Sequence, residues 1–438
     1  MKVLKFGGTS LGSAQRMKNI AKIVNQQEKV IVVLSAVSGT TDTLLSIFAA
    51  IRDRNIEQAE ADTRELMAHY NVYIDELYDK EVNRQQALEF VQSQLQDVLD
   101  NVRQRFVASL EFHLLAKGEI ISTELFSLLL QEQQQTCCQL SALSLLKLNT
   151  DNRPDEQYLS QQLSANIEAH EQTRIFVTQG FICRNAFGEV SNLQRGGSDY
   201  SASLFAAAIN ADELQIWTDI DGMHNNDPRY VDSTYPIRQM SYDEAAELAY
   251  FGAKILHPAS IKPARRCAIP VRLLNTLQPT AEGTLIGGST ERAKVKAVAA
   301  KSGITAIKIR SSEMLQAQGF LRRIFEVFEL YHTSIDMVTT SEVAVSVTID
   351  DTQFLDEIVD SLKIFGEVEV DEELSIVCVV GEYLIENHTV NSMVISSLRD
   401  IPIRMISFGG SPHNISVLVS ENSKVEALKS LQRGLFNV

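Results

Sequence analysis

The sequence predicts an α/β domain on a mainly parallel sheet followed by a tail of two α+β modules, and three observations carry that prediction. Residues 3–6 run through Gly7-Gly8-Thr9-Ser10 into a helix and on to an apolar run at 30–34, the strand, helix, strand order of a βαβ unit. Residues 43–135 hold few glycines or prolines and keep apolar residues at helical spacing, as at Leu125, Leu128 and Leu129. After Gly287-Gly288 the texture changes to short strands and helices, and residues 304–349 repeat in outline as 374–419.

Each element has a local reason. The first helix, 13–27, has Met17, Ile20, Ile23 and Val24 on one face and Ser10 or Ser13 as its cap. The second strand ends in Ser35-Ala36-Val37-Ser38-Gly39, a second turn rich in small residues at the same sheet edge, so both turns face one ligand. Strands return at 175–178 and 214–217, separated by a helix from about 198 to 210, and a helix at 241–256 stops before Pro258. In the tail, β-rich pairs at 334–339 with 343–349 and at 401–407 with 414–419 precede closing helices at 354–365 and 424–435, giving two βαββαβ modules. At 438 residues the chain exceeds one hydrophobic core.

Composition narrows the function. Forty basic against fifty-six acidic residues leave a net charge of −16, which argues against a nucleic-acid partner. An anionic ligand must then be held by a local cluster of cations and backbone donors. The five cysteines, with Cys137 and Cys138 adjacent, form no C-x-x-C pair, and no signal segment or membrane-length apolar run is present, so a reduced, cytoplasmic setting without membrane attachment is expected.

The first turn has the build of an anion site. Gly7 and Gly8 let the backbone approach a ligand, the first N–H groups of the following helix point at it, and Lys5 adds a full charge. It is not a Walker loop, because the lysine precedes the glycines. Four further segments set charge beside small residues: Gly118-Glu119, read as opening the helix through Thr123 and Ser127; Arg195-Gly196-Gly197-Ser198-Asp199 before a helix; Trp217-Thr218-Asp219, leading to Asp227-Pro228-Arg229; and Phe251-Gly252-Ala253-Lys254. Singly, each also fits a capped helix, a surface cation or a plain turn. Jointly they place three cations, two glycine-rich nests and several acids at strand and helix ends.

That combination resembles the aspartokinases, on Lys5-Phe6-Gly7-Gly8-Thr9-Ser10, Ser35-Ala36, Gly118-Glu119, Thr178-Gln179-Gly180-Phe181, Arg195-Gly196-Gly197-Ser198-Asp199, Trp217-Thr218-Asp219, Asp227-Pro228-Arg229 and Phe251-Gly252-Ala253-Lys254-Ile255-Leu256-His257-Pro258. The resemblance spans nearly the whole chain and is to the monofunctional form, most like the lysine-sensitive class. It implies an amino-acid-kinase three-layer sandwich over residues 1–295 and two ferredoxin-like ACT domains at 296–372 and 373–438. The implied reaction is ATP-dependent phosphorylation of the β-carboxylate of L-aspartate to 4-phospho-L-aspartate, the entry to lysine, threonine and methionine biosynthesis, with Mg2+ carried on ATP and no metal site of the protein's own.

By the same resemblance, Lys5, Lys254 and Asp199 are the catalytic set, with Asp199 orienting Lys5 or Arg195. Thr41, Glu119, Arg195, Gly197 and Ser198 would hold aspartate, Glu119 facing its ammonium. The nucleotide would lie against Lys5, Phe6, Gly7, Gly8, Thr9, Ser10, Thr218, Asp219, His224, Arg229, Lys254 and Ile255. His224 departs from the tyrosine common near the adenine in relatives, which puts nucleotide affinity in question. An L-lysine effector would meet Met314, Gly319, Phe320, Leu321, Ser334, Asp336, Thr340, Ser341 and Glu342, where ACT domains of two chains pair, so a homodimer is implied and a tetramer left open. The chemistry agrees with these residue types. A β-carboxylate with a pKa near 3.9 needs no general base, whereas two like charges about 4 Å apart repel by roughly 4 kcal/mol at an effective dielectric near 20, so cations and aligned donors are what the step requires. A kinase of another amino-acid carboxylate would keep the fold, but the Arg195-Gly196-Gly197-Ser198-Asp199 run with a tandem ACT tail argues against it. A catalytically dead amino-acid sensor would be expected to replace Lys5 or Lys254, and both are present.

Overall fold

The computed structural model describes residues 1–103, 106–193, 196–252, 256–288, 294–311 and 318–436. The chain divides into two compact units, Met1–Met223 with Leu256–Gly288, and His224–Ile255 with Ser289–Val438. In chain order the first strands are β1 (Lys2–Phe6), β2 (Val30–Leu34), β3 (Cys137–Leu140), β4 (Ile175–Gln179), a short hairpin of β5 (Ile182–Arg184) and β6 (Val190–Asn192), β7 (Leu214–Thr218), β8 (Gln239–Ser241, in the second unit), β9 (Val271–Asn275) and β10 (Thr284–Gly287).

Within the first unit β3, β4, β2, β1, β7 and β9 lie side by side in that order and run parallel, and β10 adds to β9 antiparallel. The expected mainly parallel α/β sheet is therefore present. All five residues of β2 and of β4 are buried, as strands of a sheet covered on both faces must be. Ser13 caps the helix Ala14–Asn25 by accepting from the Arg16 amide at 3.3 Å, and Met17, Ile20, Ala21 and Val24 turn into the core. The long helical stretch resolves into Thr40–Arg52, Ile56–Leu77, Glu81–Val102 and Leu110–Glu132, whose apolar faces join the same core.

One expectation is corrected here: Gly118-Glu119 does not open a helix but lies in the middle of Leu110–Glu132. Gly118 is small for a packing reason instead, since a Cβ there would stand 2.7 Å from the Ala36 Cβ and 3.4 Å from the Thr40 Cγ2. Gly118→Val is accordingly expected to destabilise the protein by about 2–3 kcal/mol, read as a lowered urea midpoint at unchanged slope.

The second unit carries β11 (Lys294–Arg310), β12 (Val338–Thr340), β13 (Ala344–Ile349), β14 (Glu367–Glu382), β15 (Met405–Phe408) and β16 (Asn414–Ser420) in one antiparallel sheet ordered β12, β13, β11, β14, β16, β15. The repeat read from sequence is present as two cores. Ile307, Ile309, Phe320, Ile324, Val345, Val347 and Leu362 form one; Val298, Val377, Val379, Val394, Val417, Leu428 and Leu431 form the other. Both long strands serve both cores: Thr305–Arg310 pairs with β13 and with 367–371, whereas 294–301 pairs with 376–382. In the second copy the strand beside 376–382 comes from residues 294–301, ahead of the first copy, on the side away from β16. The expected junctions after 295 and 372 thus fall inside β11 and β14.

The helix expected at 241–256 is also shorter. It spans Tyr242–Tyr250, begins with a capping box between Ser241 and Glu244, and ends ahead of Gly252, whose φ of +147° no helix continues. Among the described residues, no helix is long and apolar enough to cross a membrane.

Candidate active site

A cleft of about 450 Å3 opens beyond the carboxyl ends of the parallel strands, where the turns after β1, β2 and β4 meet the start of the helix Gly197–Ala208. Its walls include Gly8, Thr9, Thr41, Glu119, Gly197 and Ser198, which the sequence reading nominated from four separate segments. Ser38, Gly39, Asp42 and Phe181 line it as well. Ser38 and Gly39 belong to the second small-residue turn expected at this sheet edge and Phe181 to the Thr178-Gln179-Gly180-Phe181 motif, though the sequence singles out none of them as a ligand contact, and Asp42 carries no signal.

The turn after β1 is held from behind. The Gly7 amide donates to the Trp217 carbonyl at 3.3 Å, the Ser35 amide to the Phe6 carbonyl at 3.1 Å, and the Ser10 hydroxyl lies 3.1 Å from that of Thr276. The side chains of Phe6 and Ser10 are fully buried, Phe6 stacked on Trp217, so these two residues have only main-chain atoms to offer a ligand. A Cβ on Gly7 would stand 3.4 Å from the Lys5 ammonium, and one on Gly8 would stand 3.1 Å from the Ala36 carbonyl oxygen. Glycine thus keeps the approach to Lys5 open. Lys5 Nζ is 2.7 Å from Asp199 Oδ1, both side chains mostly buried. Asp199 sits in the first turn of its helix, where the amide dipoles favour a carboxylate, and it fixes the ammonium at the mouth of the turn.

The helix start is a second built element. Gly196 has φ +72°, a backbone that favours glycine, and a Cβ on Gly180 would stand 2.6 Å from the Ser198 Cβ. Phe181, itself at φ +60°, fills the space beside Gly197, and its amide donates to the Ser201 hydroxyl at 3.3 Å. The glycines of this segment therefore bring the helix N-terminus close against the β4 turn, exposing its amides to the cleft.

On the opposite wall Glu119 is buried, and burial pushes its carboxyl up to about 8 although main-chain amides of Glu119 and Ala36 work against that rise. Its Oε2 has no hydrogen-bond partner among the described residues. Around it Thr40 and Tyr70 share a 2.8 Å hydrogen bond, and the Ser122 hydroxyl donates to the Ser35 carbonyl at 2.7 Å, so these neighbouring hydroxyls are already engaged with other partners.

Other nominated residues lie elsewhere. Thr218, the last residue of β7, donates to Asp219 Oδ1 at 3.1 Å. His224 and Arg229 belong to the second unit: the His224 Nδ1 is 3.2 Å from the Thr234 hydroxyl, and the Arg229 guanidinium is bidentate on Asp227 at 2.9 and 2.6 Å. Arg195, Lys254, Ile255 and Met314 lie outside the described residues. In the second unit Gly319, at φ +80°, starts the helix Phe320–Leu330, Phe320 is packed into a core, and Leu321, Ser334, Thr340, Ser341 and Glu342 are exposed. Asp336 differs from these, with a side chain 1 % exposed.

A parallel sheet with a lysine and two amide-lined turns at its ligand edge is the architecture of a phosphotransferase acting on small anionic acceptors. Comparison with known proteins agrees. The amino acid kinase family model matches residues 1–275, and an ACT domain model matches residues 377–435. The chain is 31% identical to lysine-sensitive aspartokinase 3 of Escherichia coli (strain K12), over 99% of each chain, and 32% identical to the chloroplastic aspartokinase 3 of Arabidopsis thaliana, over 99% of this chain and 81% of the relative. The crystal structure of E. coli aspartokinase III in complex with aspartate and ADP superposes with a TM-score of 0.84 at 30% identity, covering both chains fully. Its lysine and aspartate complex gives 0.78 at 31%, covering all of this chain and 99% of the other. The chain belongs to the amino acid kinase family, and within it to the aspartokinases.

Proposed function

We propose that the chain transfers the γ-phosphoryl group of ATP to the β-carboxylate of L-aspartate at this cleft, and that L-lysine inhibits it through the second unit. The observation that carries the catalytic half is the Lys5 ammonium held 2.7 Å from Asp199 under the Gly7-Gly8 turn. Transfer between two anions needs no base; it needs repulsion cancelled and the reacting oxygens aligned. In this reading Lys5 and the turn amides hold the transferring group and Lys254 neutralises charge on the polyphosphate. Arg195, with the amides of Gly197 and Ser198, clamps a carboxylate of aspartate. Thr41 meets the same substrate, and the unpartnered Glu119 Oε2 receives its ammonium. Thr218, Asp219, His224, Arg229 and Ile255 are assigned to the nucleotide. Mg2+ would enter with ATP as part of the substrate and would supply further neutralisation of phosphate charge. Release of ADP with Mg-ATP and aspartate tests this directly; no aspartate-dependent release would reject it.

The regulatory half rests on Asp336, a buried acid among exposed polar neighbours, together with the lysine complex of the E. coli relative. Asp336 is assigned to an ammonium group of the effector, in a pocket completed where ACT domains of two chains pair, so the working form is a dimer. Asp336→Ala is expected to raise the lysine concentration for half-inhibition at least about tenfold, since a charge-assisted contact is lost. Inhibition curves that coincide for both proteins would remove Asp336 from the site.

A further inference from the structure

Asp336 is not waiting empty. Its Oδ1 accepts from the Tyr250 hydroxyl at 2.7 Å and from the Lys301 ammonium at 2.7 Å, while its Oδ2 is buried without a hydrogen-bond partner among the described residues. Lys301 is shared: its ammonium is also 2.8 Å from Asp350 Oδ2 and lies 4.6 Å from the centre of the Tyr250 ring. One carboxylate thus holds an internal ammonium and a phenol at once, with a second acceptor oxygen unused.

Tyr250 is the last residue of the helix Tyr242–Tyr250, and Lys254 follows it by four residues in the chain. The helix is fixed at its start by the Ser241 hydroxyl on Glu382 at 2.6 Å and midway by Asn414 on Glu247 at 2.5 Å. Its end is tied to Asp336. Partial burial and the bond to Asp336 push the Tyr250 phenol up, so it remains a donor at working pH.

We propose that Tyr250 and Lys301 form the switch of this enzyme: an effector ammonium arriving at Asp336 displaces Lys301 onto Asp350, and the helix end held by Tyr250 is released. Resting as it does on the lysine reading above, this adds how occupancy of the effector acid reaches the segment carrying Lys254. Two ammonium groups on one buried carboxylate repel each other, so the effector competes with Lys301 for Asp336. Asp350 gives Lys301 a second seat, which keeps the exchange inexpensive. When Lys301 leaves, Tyr250 loses the cation at its ring, and the arriving ammonium competes with its hydroxyl for the same carboxylate, so both of its ties weaken in one event. Tyr250 is a positioning residue in this scheme, and Lys301 sets effector affinity.

The test uses the full chain, with lysine binding measured by calorimetry and with kcat and aspartate KM measured with and without lysine. Tyr250→Phe removes only the hydroxyl. It is expected to bind lysine within about threefold of the wild type, to show kcat lowered about fivefold at unchanged aspartate KM, and to lose little of the remaining activity on adding lysine. Lys301→Met is expected to bind lysine about tenfold more tightly, because the internal competitor is gone; Lys301→Arg, which keeps the charge, is expected to bind it no more tightly. A Tyr250→Phe enzyme with wild-type kcat and a wild-type inhibition curve overturns the switch, as does Lys301→Met binding lysine no better than Lys301→Arg. If the wild type takes up no lysine while Tyr250→Phe still lowers kcat, the effector assignment fails and the tie is supported; if kcat is also unchanged, both fail.

Discussion

Replacing Lys5 by methionine is expected to lower kcat about a thousandfold while leaving a folded protein that still binds aspartate. Methionine keeps the length of the stem and removes the charge, so the loss isolates the ammonium under the Gly7-Gly8 turn. Removing a preorganised donor from a developing anion typically costs about 3–4 kcal/mol of transition-state stabilisation, which is the origin of that figure. The substitution also strands Asp199, whose side chain is only 14% exposed and whose counter-charge is Lys5. The double variant Lys5→Met with Asp199→Asn should therefore regain stability without regaining turnover. A single variant whose kcat stays within about tenfold of wild type would remove Lys5 from the chemistry.

Glu119→Gln should raise the aspartate KM about a hundredfold at pH 8 and, more tellingly, flatten its dependence on pH. Burial raises the Glu119 carboxyl from 4.5 to about 8, so below pH 8 the ligand-free enzyme holds a proton that an incoming ammonium must displace. Wild-type KM is then expected to rise, by up to about tenfold per pH unit, as pH falls from 8 toward 6. Calorimetry in two buffers of different ionisation enthalpy should find close to one proton released per aspartate bound at pH 6.5. Stability runs the same way. The folded value lies above the unfolded one, so the favourable contribution is complete below about 4.5 and is lost as pH rises through about 8. Ligand-free wild type should lose thermal stability between pH 5 and 8 relative to Glu119→Gln, and aspartate should restore it. A KM that ignores pH in both proteins would refute the pairing.

What the sequence disclosed follows the range of the forces involved. Buried parallel strands such as β2 and the glycine turn after β1 announce themselves locally, and both appear where the residues put them. The role of Gly118 does not, because a glycine that permits contact with Ala36 from a distant turn looks the same in sequence as one that begins a helix. The exchange of a strand between the two tail modules is also invisible, since the repeat shows copies and not pairings. In the cleft, Gly8, Thr9, Glu119, Gly197 and Ser198 each lie in a motif legible in the sequence, whereas Thr41 comes only from the family resemblance. That Glu119 is buried with one oxygen unmet, and that Lys5 answers to Asp199, required the fold. The tie from Tyr250 to Asp336 joins residues far apart in sequence, with no spacing to betray it.

The two long ribbons β11 and β14 pass from one sensory core to the other as a single antiparallel pair, its register shifting between Val295 and Ala297 and between Lys301 and Ala306. Severing the chain after residue 372 would cut β14 and part the second core from the 294–301 strand that completes it. The regulatory tail is in that sense indivisible, and its halves are expected to melt together as one cooperative block, seen as a single transition in hydrogen exchange.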